Sequence, residues 1–283
     1  HDPQPLALRH FKGRNNSKWI WRCHIDTSEP NTGLWDFLEP FADEYDAAIF
    51  TLDKFVPPTL KVPIISSIPP SIDPLSPKNM VIPASLARKV TTWAGVDINR
   101  PLLTQVSRFD PWKDPLGVID VYRKVKEDVP DLQLALVGSM ALDDPEAWAI
   151  YSKIVDYAKG DLSTHVFTNL SGVGNIEVNA FQQLSPVIIQ KSIREGFGLV
   201  VSETLWKETP VVAGNTGGIP LQLEDGVSGY LCDSVDEYAA RISHLFRNRD
   251  AARKMGKLGK QKVMDEFLTP RMIADELRVL CSL

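Results

Sequence analysis

The sequence predicts an α/β fold built on a doubly wound parallel sheet. Three observations point there. From residue 101 onward, short apolar runs alternate with longer amphipathic stretches, the order in which strands and crossover helices follow one another in βαβ units. The runs are apolar along their length, as in strands covered on both faces. The chain has 283 residues, 43% of them hydrophobic, with 7 Trp, 6 Tyr and 11 Phe. That is enough to pack about two domains at ~150 residues each.

The elements follow in order. Strands are expected at 18–23, 47–51 and 62–66, with one helix around 34–44, before the Pro-rich stretch 68–77 interrupts the pattern. A helix near 83–95 leads onward. Six strands are then expected at 102–107, 132–138, 164–168, 186–190, 210–213 and, more weakly, 229–232. Helices are expected between and after them at 114–128, 144–160, 175–184, 198–207 and 235–247. This second set makes one complete Rossmann-like domain. From Arg249 the chain reads as helix, with Arg253, Lys254, Lys257, Lys260 and Lys262 forming a solvated face among Met255, Leu258, Val263 and Phe267. Leu268-Thr269-Pro270 breaks it. A last helix starts there, with Pro270 at its first position and Leu277, Leu280 and Leu283 on one face.

The expected division is 1–98 and 99–283. Three strands and one helix are too few to close a doubly wound sheet. The chain also opens on His1-Asp2-Pro3-Gln4-Pro5 without an initiator Met, so the first domain reads as partial.

Composition excludes several function classes. Lys plus Arg number 31 against 36 Asp plus Glu, a net charge of −5, which argues against a nucleic-acid binder. No window approaches the ~18 consecutive apolar residues of a membrane span. Cys23, Cys232 and Cys281 are far apart and in no ligand or disulfide spacing, so neither a metal site nor a disulfide framework is expected and a cytoplasmic setting is.

Two segments carry chemistry. Glu195-Gly196-Phe197-Gly198-Leu199-Val200-Val201-Ser202-Glu203 leads through a glycine-containing turn into a helix, whose first N–H groups would meet an anion such as phosphate. Glu195 would stand beside it and accept from sugar hydroxyls; Glu203, about a turn into the helix, would take a ribose diol. Alone, this segment reads better as a helix start with two solvated acids. Its context is Ser107-Arg108-Phe109-Asp110-Pro111-Trp112-Lys113-Asp114, directly after the first strand of the second domain, where doubly wound sheets bind ligands. Arg108 and Lys113 suit a diphosphate. Read plainly, they are surface cations paired with Asp110 and Asp114.

With Val137-Gly138 after the next strand, these segments resemble the carboxyl-terminal half of the retaining GT-B glycosyltransferases of family 4, from about Pro101 to Glu266. His1-Asp2-Pro3-Gln4-Pro5, Trp21-Arg22-Cys23-His24-Ile25-Asp26, Pro69-Pro70-Ser71-Ile72-Asp73-Pro74-Leu75, the 105–113 segment and Glu177-Val178-Asn179-Ala180-Phe181-Gln182 are similar to the trehalose glycosyltransferring synthases and the related retaining trehalose phosphorylases. The fold class implied is GT-B, with the complete carboxyl-terminal domain binding the donor.

The resemblance implies roles. Arg108 and Lys113 would neutralise the diphosphate of a nucleotide-glucose donor, Glu203 would hold its ribose, and Glu195 would bind glucose hydroxyls with the Gly196–Leu199 backbone assisting. Ser107, Gly138, Phe197, Gly198 and Val200 would complete the donor site, and Val166 and Phe167 would contact the base. His24 would approach the reacting carbon, with Arg22 and Asp26 on the acceptor side. The implied reaction makes trehalose from a nucleoside diphosphate glucose and free glucose, without a metal or other cofactor. Charge on the leaving diphosphate is the main catalytic lever. A homodimer is compatible with this reading; nucleic-acid and membrane partners are not.

Three competing readings stand. A trehalose phosphorylase would use inorganic phosphate in place of the nucleotide. A paired-carboxylate hydrolase would use Glu195 and Glu203, a reading the resemblance disfavours. A non-catalytic nucleotide-sugar-binding module is suggested because the family's glycine-rich loop from the amino-terminal half has no counterpart in this sequence. Other features take plain explanations: Asn215-Thr216-Gly217-Gly218-Ile219-Pro220 as a turn at the same sheet edge, Asp143-Asp144-Pro145-Glu146 as a helix N-cap, His165 as a strand residue and His244 as a surface helix residue.

Overall fold

The computed structural model describes residues 4–12, 16–140 and 145–283. The chain forms two units. Elements in chain order are α1 (Leu8–Lys12), β1 (Ile20–Arg22), α2 (Thr32–Ala42), β2 (Ala47–Phe50), β3 (Ile64–Ser67), α3 (Ala84–Trp93), β4 (Leu102–Arg108), α4 (Pro115–Asp128), β5 (Gln133–Ser139) and α5 (Pro145–Tyr157). They continue with β6 (Thr164–Thr168), α6 (Asn175–Leu184), β7 (Val187–Gln190), α7 (Leu199–Trp206), β8 (Val211–Gly214), α8 (Ile219–Gln222), β9 (Tyr230–Cys232), α9 (Val235–Arg247), α10 (Arg249–Glu266) and α11 (Thr269–Cys281). No helix among the described residues is long and apolar enough to cross a membrane.

The first unit holds a three-stranded parallel sheet in the order β1-β2-β3. Its aromatic core includes Trp21, Trp35, Phe50 and Phe55, with Trp21 stacked near Trp35 and edge-on to Phe50. The other sheet face packs Ala47, Ile49 and Ile68 against Val279 of α11. This last contact corrects the expected division after residue 98. The chain divides after Ser71, and 267–283 returns to the first unit because Val279 and Met272 give α11 an apolar seam there. Of the expected stripe, Leu283 packs partly buried against this seam, whereas Leu277 and Leu280 are exposed, since the seam selects the neighbouring face.

The second unit holds six parallel strands in the order β6-β5-β4-β7-β8-β9. All six strands and the helices between them were expected within a few residues; α1 and the single turn α8 were not. The order reverses between β4 and β7, which makes the carboxyl ends of these two strands the topological switch point. α3 belongs here, because Ile82, Ala87 and Val90 pack on Ala180 and Leu184 of α6. The basic run of α10 is solvated as expected, while Met255 and Val263 face inward. The expected N-cap residues Asp143 and Asp144 lie outside the described residues. His165 lies in β6 and His244 on the exposed face of α9.

Candidate functional site

Three loops meet at the switch point. The loop after β4 begins at Arg108 and makes a single turn at Pro111–Lys113, held from below when Gln105 Nε2 donates to Lys113 O at 2.8 Å. Asp114 then adopts left-handed φ of 43° and caps α4 by accepting from Gly117 N. The loop after β7 is fastened to it along its length. Ile193 N donates to Trp112 O at 2.8 Å, the Arg194 guanidinium lies 5.5 Å from the Trp112 ring, and Lys191 pairs with Asp114.

The central contact joins Lys113 Nζ to Glu195 Oε2 at 2.5 Å, with both side chains largely buried. Ser192 Oγ donates to the same carboxylate oxygen at 3.1 Å. This corrects the plain expectation that Lys113 pairs with Asp114: Lys191 occupies Asp114, and Lys113 turns to the β7 loop. Arg108 does pair with Asp110, at 3.1 Å, and its side chain stays 72% exposed while that carboxylate is buried. Its guanidinium is therefore presented to solvent at the strand end.

The third loop, after β8, closes against the second. Gly218 N donates to Gly196 O at 2.9 Å, and Gly217 has φ of +57° with no room for a side chain: a Cβ there would lie 1.7 Å from Glu195 O. Gln222, fully buried in α8, donates to Phe197 O at 2.5 Å and accepts from Ser202 N and Oγ at 2.9 and 2.6 Å. It thereby ties the turn to the first helical residues of α7. Gly198 enters α7 with φ of +82°. Among the described residues the N–H groups of Leu199 and Val200 have no intramolecular acceptor, so they remain for an anion.

The other expected donor residues are placed as follows. Ser107 is half-buried in β4. Gly138 in β5 serves packing, because a Cβ would meet the Phe109 ring at 2.4 Å. Val166 and Phe167 lie half-buried in β6, where Phe167 packs on Phe181. Glu203 is the fifth residue of α7 and is 5% exposed. Its carboxylate receives Lys78 at 3.3 Å and Gln182 at 3.5 Å. Glu195 and Glu203 thus have separate cationic partners. Lys207, at the end of α7, donates to Asn79 Oδ1 and Glu203 O, and burial pulls its ammonium down to about 8.

The three residues expected on the acceptor side lie in the first unit. Arg22 Nη2 donates to Ile68 O at 2.8 Å and Nε to His24 Nε2 at 3.4 Å. Burial lowers the Arg22 guanidinium below its usual range, with Glu276 opposing. Asp26 Oδ1 accepts from Ser28 N and Oγ at 3.0 and 2.6 Å, an Asx turn that fixes the loop after β1.

Sequence reasoning missed Ser192, Lys191, Gln105, Gln222 and Lys78. Lys191, Gln222 and Lys78 act through partners distant in sequence, whereas Gln105 reaches Lys113 and Ser192 reaches Glu195 within the same strand-to-loop segment, where the only local sign was a place at the end of an apolar run.

Residues 94–262 match the family model described as glycosyl transferases group 1, and residues 1–57 match that of the trehalose synthase N-terminal domain. The chain belongs to the group 1 glycosyltransferases. Within them it falls among trehalose synthases: it is 55% identical to that of Rubrobacter xylanophilus and 47% identical to that of Thermococcus litoralis, matched over 100% of this chain and 68% of each relative. A trehalose phosphorylase of Grifola frondosa is 29% identical over 88% of this chain and 38% of its own length. The fold is also that of solved GT-B enzymes. HepE of Anabaena, in a structure with UDP-glucose, aligns with TM-score 0.79 at 17% identity over 93% of this chain and 72% of its own. Sucrose-phosphate synthase of Thermosynechococcus elongatus aligns with TM-score 0.77 at 18% identity over 96% and 69%. The chain is thus a hexosyltransferase with a trehalose-related activity.

Proposed function

We propose that this glycosyltransferase makes trehalose from a nucleoside diphosphate glucose and glucose with retention at the anomeric carbon. One observation supports it most: an exposed Arg108 guanidinium and the Lys113 ammonium stand at the carboxyl end of β4, beside the loop that leads to the open Leu199 and Val200 amides of α7. This set suits a diphosphate that gathers charge as it leaves. As the bond from glucose C1 to the diphosphate oxygen breaks, Arg108, Lys113 and the α7 amides would take up the developing charge. The bond from C1 to the acceptor oxygen forms on the same face, and the acceptor proton passes to the departing phosphate oxygen. With the protein cations in that role the step needs no metal.

Glu195 is positioned by Lys113 and Ser192 to accept from glucose hydroxyls, and Glu203 to reach the ribose once Lys78 yields its place. His24, Arg22 and Asp26 are assigned to the acceptor. Calorimetric titration with nucleoside diphosphate glucoses tests the donor assignment. Binding to the unaltered chain and its loss in Arg108→Ala is expected; equal binding by both would refute it.

A further inference from the structure

We infer that the second unit carries another site, for a phosphate-bearing small molecule, at the sheet edge opposite Arg108, Lys113 and Glu195. A cavity of about 660 Å³ opens there. It is walled by the segment leading into β4, the approach to β7, the turn between α7 and β8, and the junction of α9 with α10. These are the amino-terminal ends of parallel strands, so none of its residues belongs to the three loops described above.

The walls carry Arg88, Arg100, Lys207, Arg247, Arg249 and Arg253 against only Asp97 and Glu208. In a chain of net charge −5 this is a local reversal of sign. Internal pairing does not cancel it. Arg247 is neutralised by Asp128, and Arg253 lies 3.6 Å from Asp250. Arg100 donates only to neutral oxygens, Asp131 O at 3.1 Å and Ser163 Oγ at 2.8 Å. Lys207 donates to Asn79 Oδ1 at 3.2 Å and Glu203 O at 2.9 Å, again neutral oxygens. Arg88 and Arg249 make no ion pair among the described residues.

Neither acid forms an ion pair with these four cations among the described residues. Asp97 Oδ1 accepts from the backbone and side chain of Asn99, and Glu208 Oε1 receives Lys260 at 3.0 Å. Four cations therefore share one concave surface without a carboxylate partner. Repulsion among them costs stability, and a cleft lined by one sign of charge concentrates counter-ions. Arginine forks match phosphate oxygens in pairs, and charge-assisted bonds of this kind are strong. A ligand with several phosphate charges fits the number and spread of donors better than a single carboxylate does.

Tripolyphosphate is a suitable probe, titrated calorimetrically in about 0.15 M salt to screen loose association. The expected result is binding that persists in Arg108→Ala and weakens about tenfold or more in Arg88→Ala/Arg249→Ala. Both of the latter side chains are exposed and make no ion pair among the described residues, so circular dichroism should show an unchanged fold. Absence of tripolyphosphate binding, its complete loss in Arg108→Ala, or its retention at full strength in Arg88→Ala/Arg249→Ala would each overturn the proposal.

Discussion

Lys113 Nζ lies 2.5 Å from Glu195 Oε2, although the two residues are 82 positions apart and rise from loops after different strands. β4 and β7 are neighbours only because the strand order reverses between them, so the sheet topology brings this pair together. Removing the cation leaves a largely buried carboxylate with Ser192 as its remaining partner. Lys113→Met should lose about 3 kcal/mol in urea denaturation. Adding Glu195→Gln should recover part of that stability, while donor binding stays lost.

Gly217 and Gly226 make a matched test of the β8 loop. Both have positive φ, +57° and +75°, but a Cβ at Gly217 would strike Glu195 O whereas one at Gly226 would meet nothing within 4 Å. Gly226→Ala should cost about 1 kcal/mol through backbone conformation alone. Gly217→Ala should cost about 3 kcal/mol or more and also weaken donor binding, because the Glu195 loop must shift. Equal thermal stability and donor affinity of the two variants would contradict this packing.

Gln222 is the third loop's anchor. Gln222→Leu removes the donor to Phe197 O and the acceptor of Ser202 N from a dry interior, an expected loss of about 2 kcal/mol. Since the bond to Phe197 O sets the turn before α7, the affinity for a nucleoside diphosphate should fall as well.

Lys207 predicts a pH dependence. Its ammonium is held down to about 8 by burial, against 10.5 for an ordinary lysine. The folded state therefore disfavours the charged form, and between these values the unfolded chain binds more protons. Stability from this group should rise with pH from about 8 to 10.5, by about 3 kcal/mol at most, and the penalty is fully present below 8. Denaturation midpoints at pH 7 and 10 should thus favour the higher pH more in the unaltered protein than in Lys207→Met.

Much of this architecture was legible in the sequence because its signals are local. Runs such as Leu134 to Val137 mark buried strands wherever they occur, and Arg108, Lys113 and Glu195 stand just after such runs, where a doubly wound sheet binds its ligands. What stayed hidden depends on long-range placement. Lys113 could have been assigned to Asp114 as readily as to Glu195, and Glu203 gives no hint of Lys78. The helix of 269–281 shows the same limit: its leucine stripe was readable, but the sheet face that takes Val279 was not.

The most direct measurement is nuclear magnetic resonance of the products formed from a nucleoside diphosphate glucose and ¹³C-labelled glucose. The expected result is α,α-trehalose carrying label in one ring only, with release of the nucleoside diphosphate, and no product in Arg108→Ala. Trehalose turnover that requires inorganic phosphate and no nucleotide, or equal synthesis by Arg108→Ala, would contradict the assigned reaction.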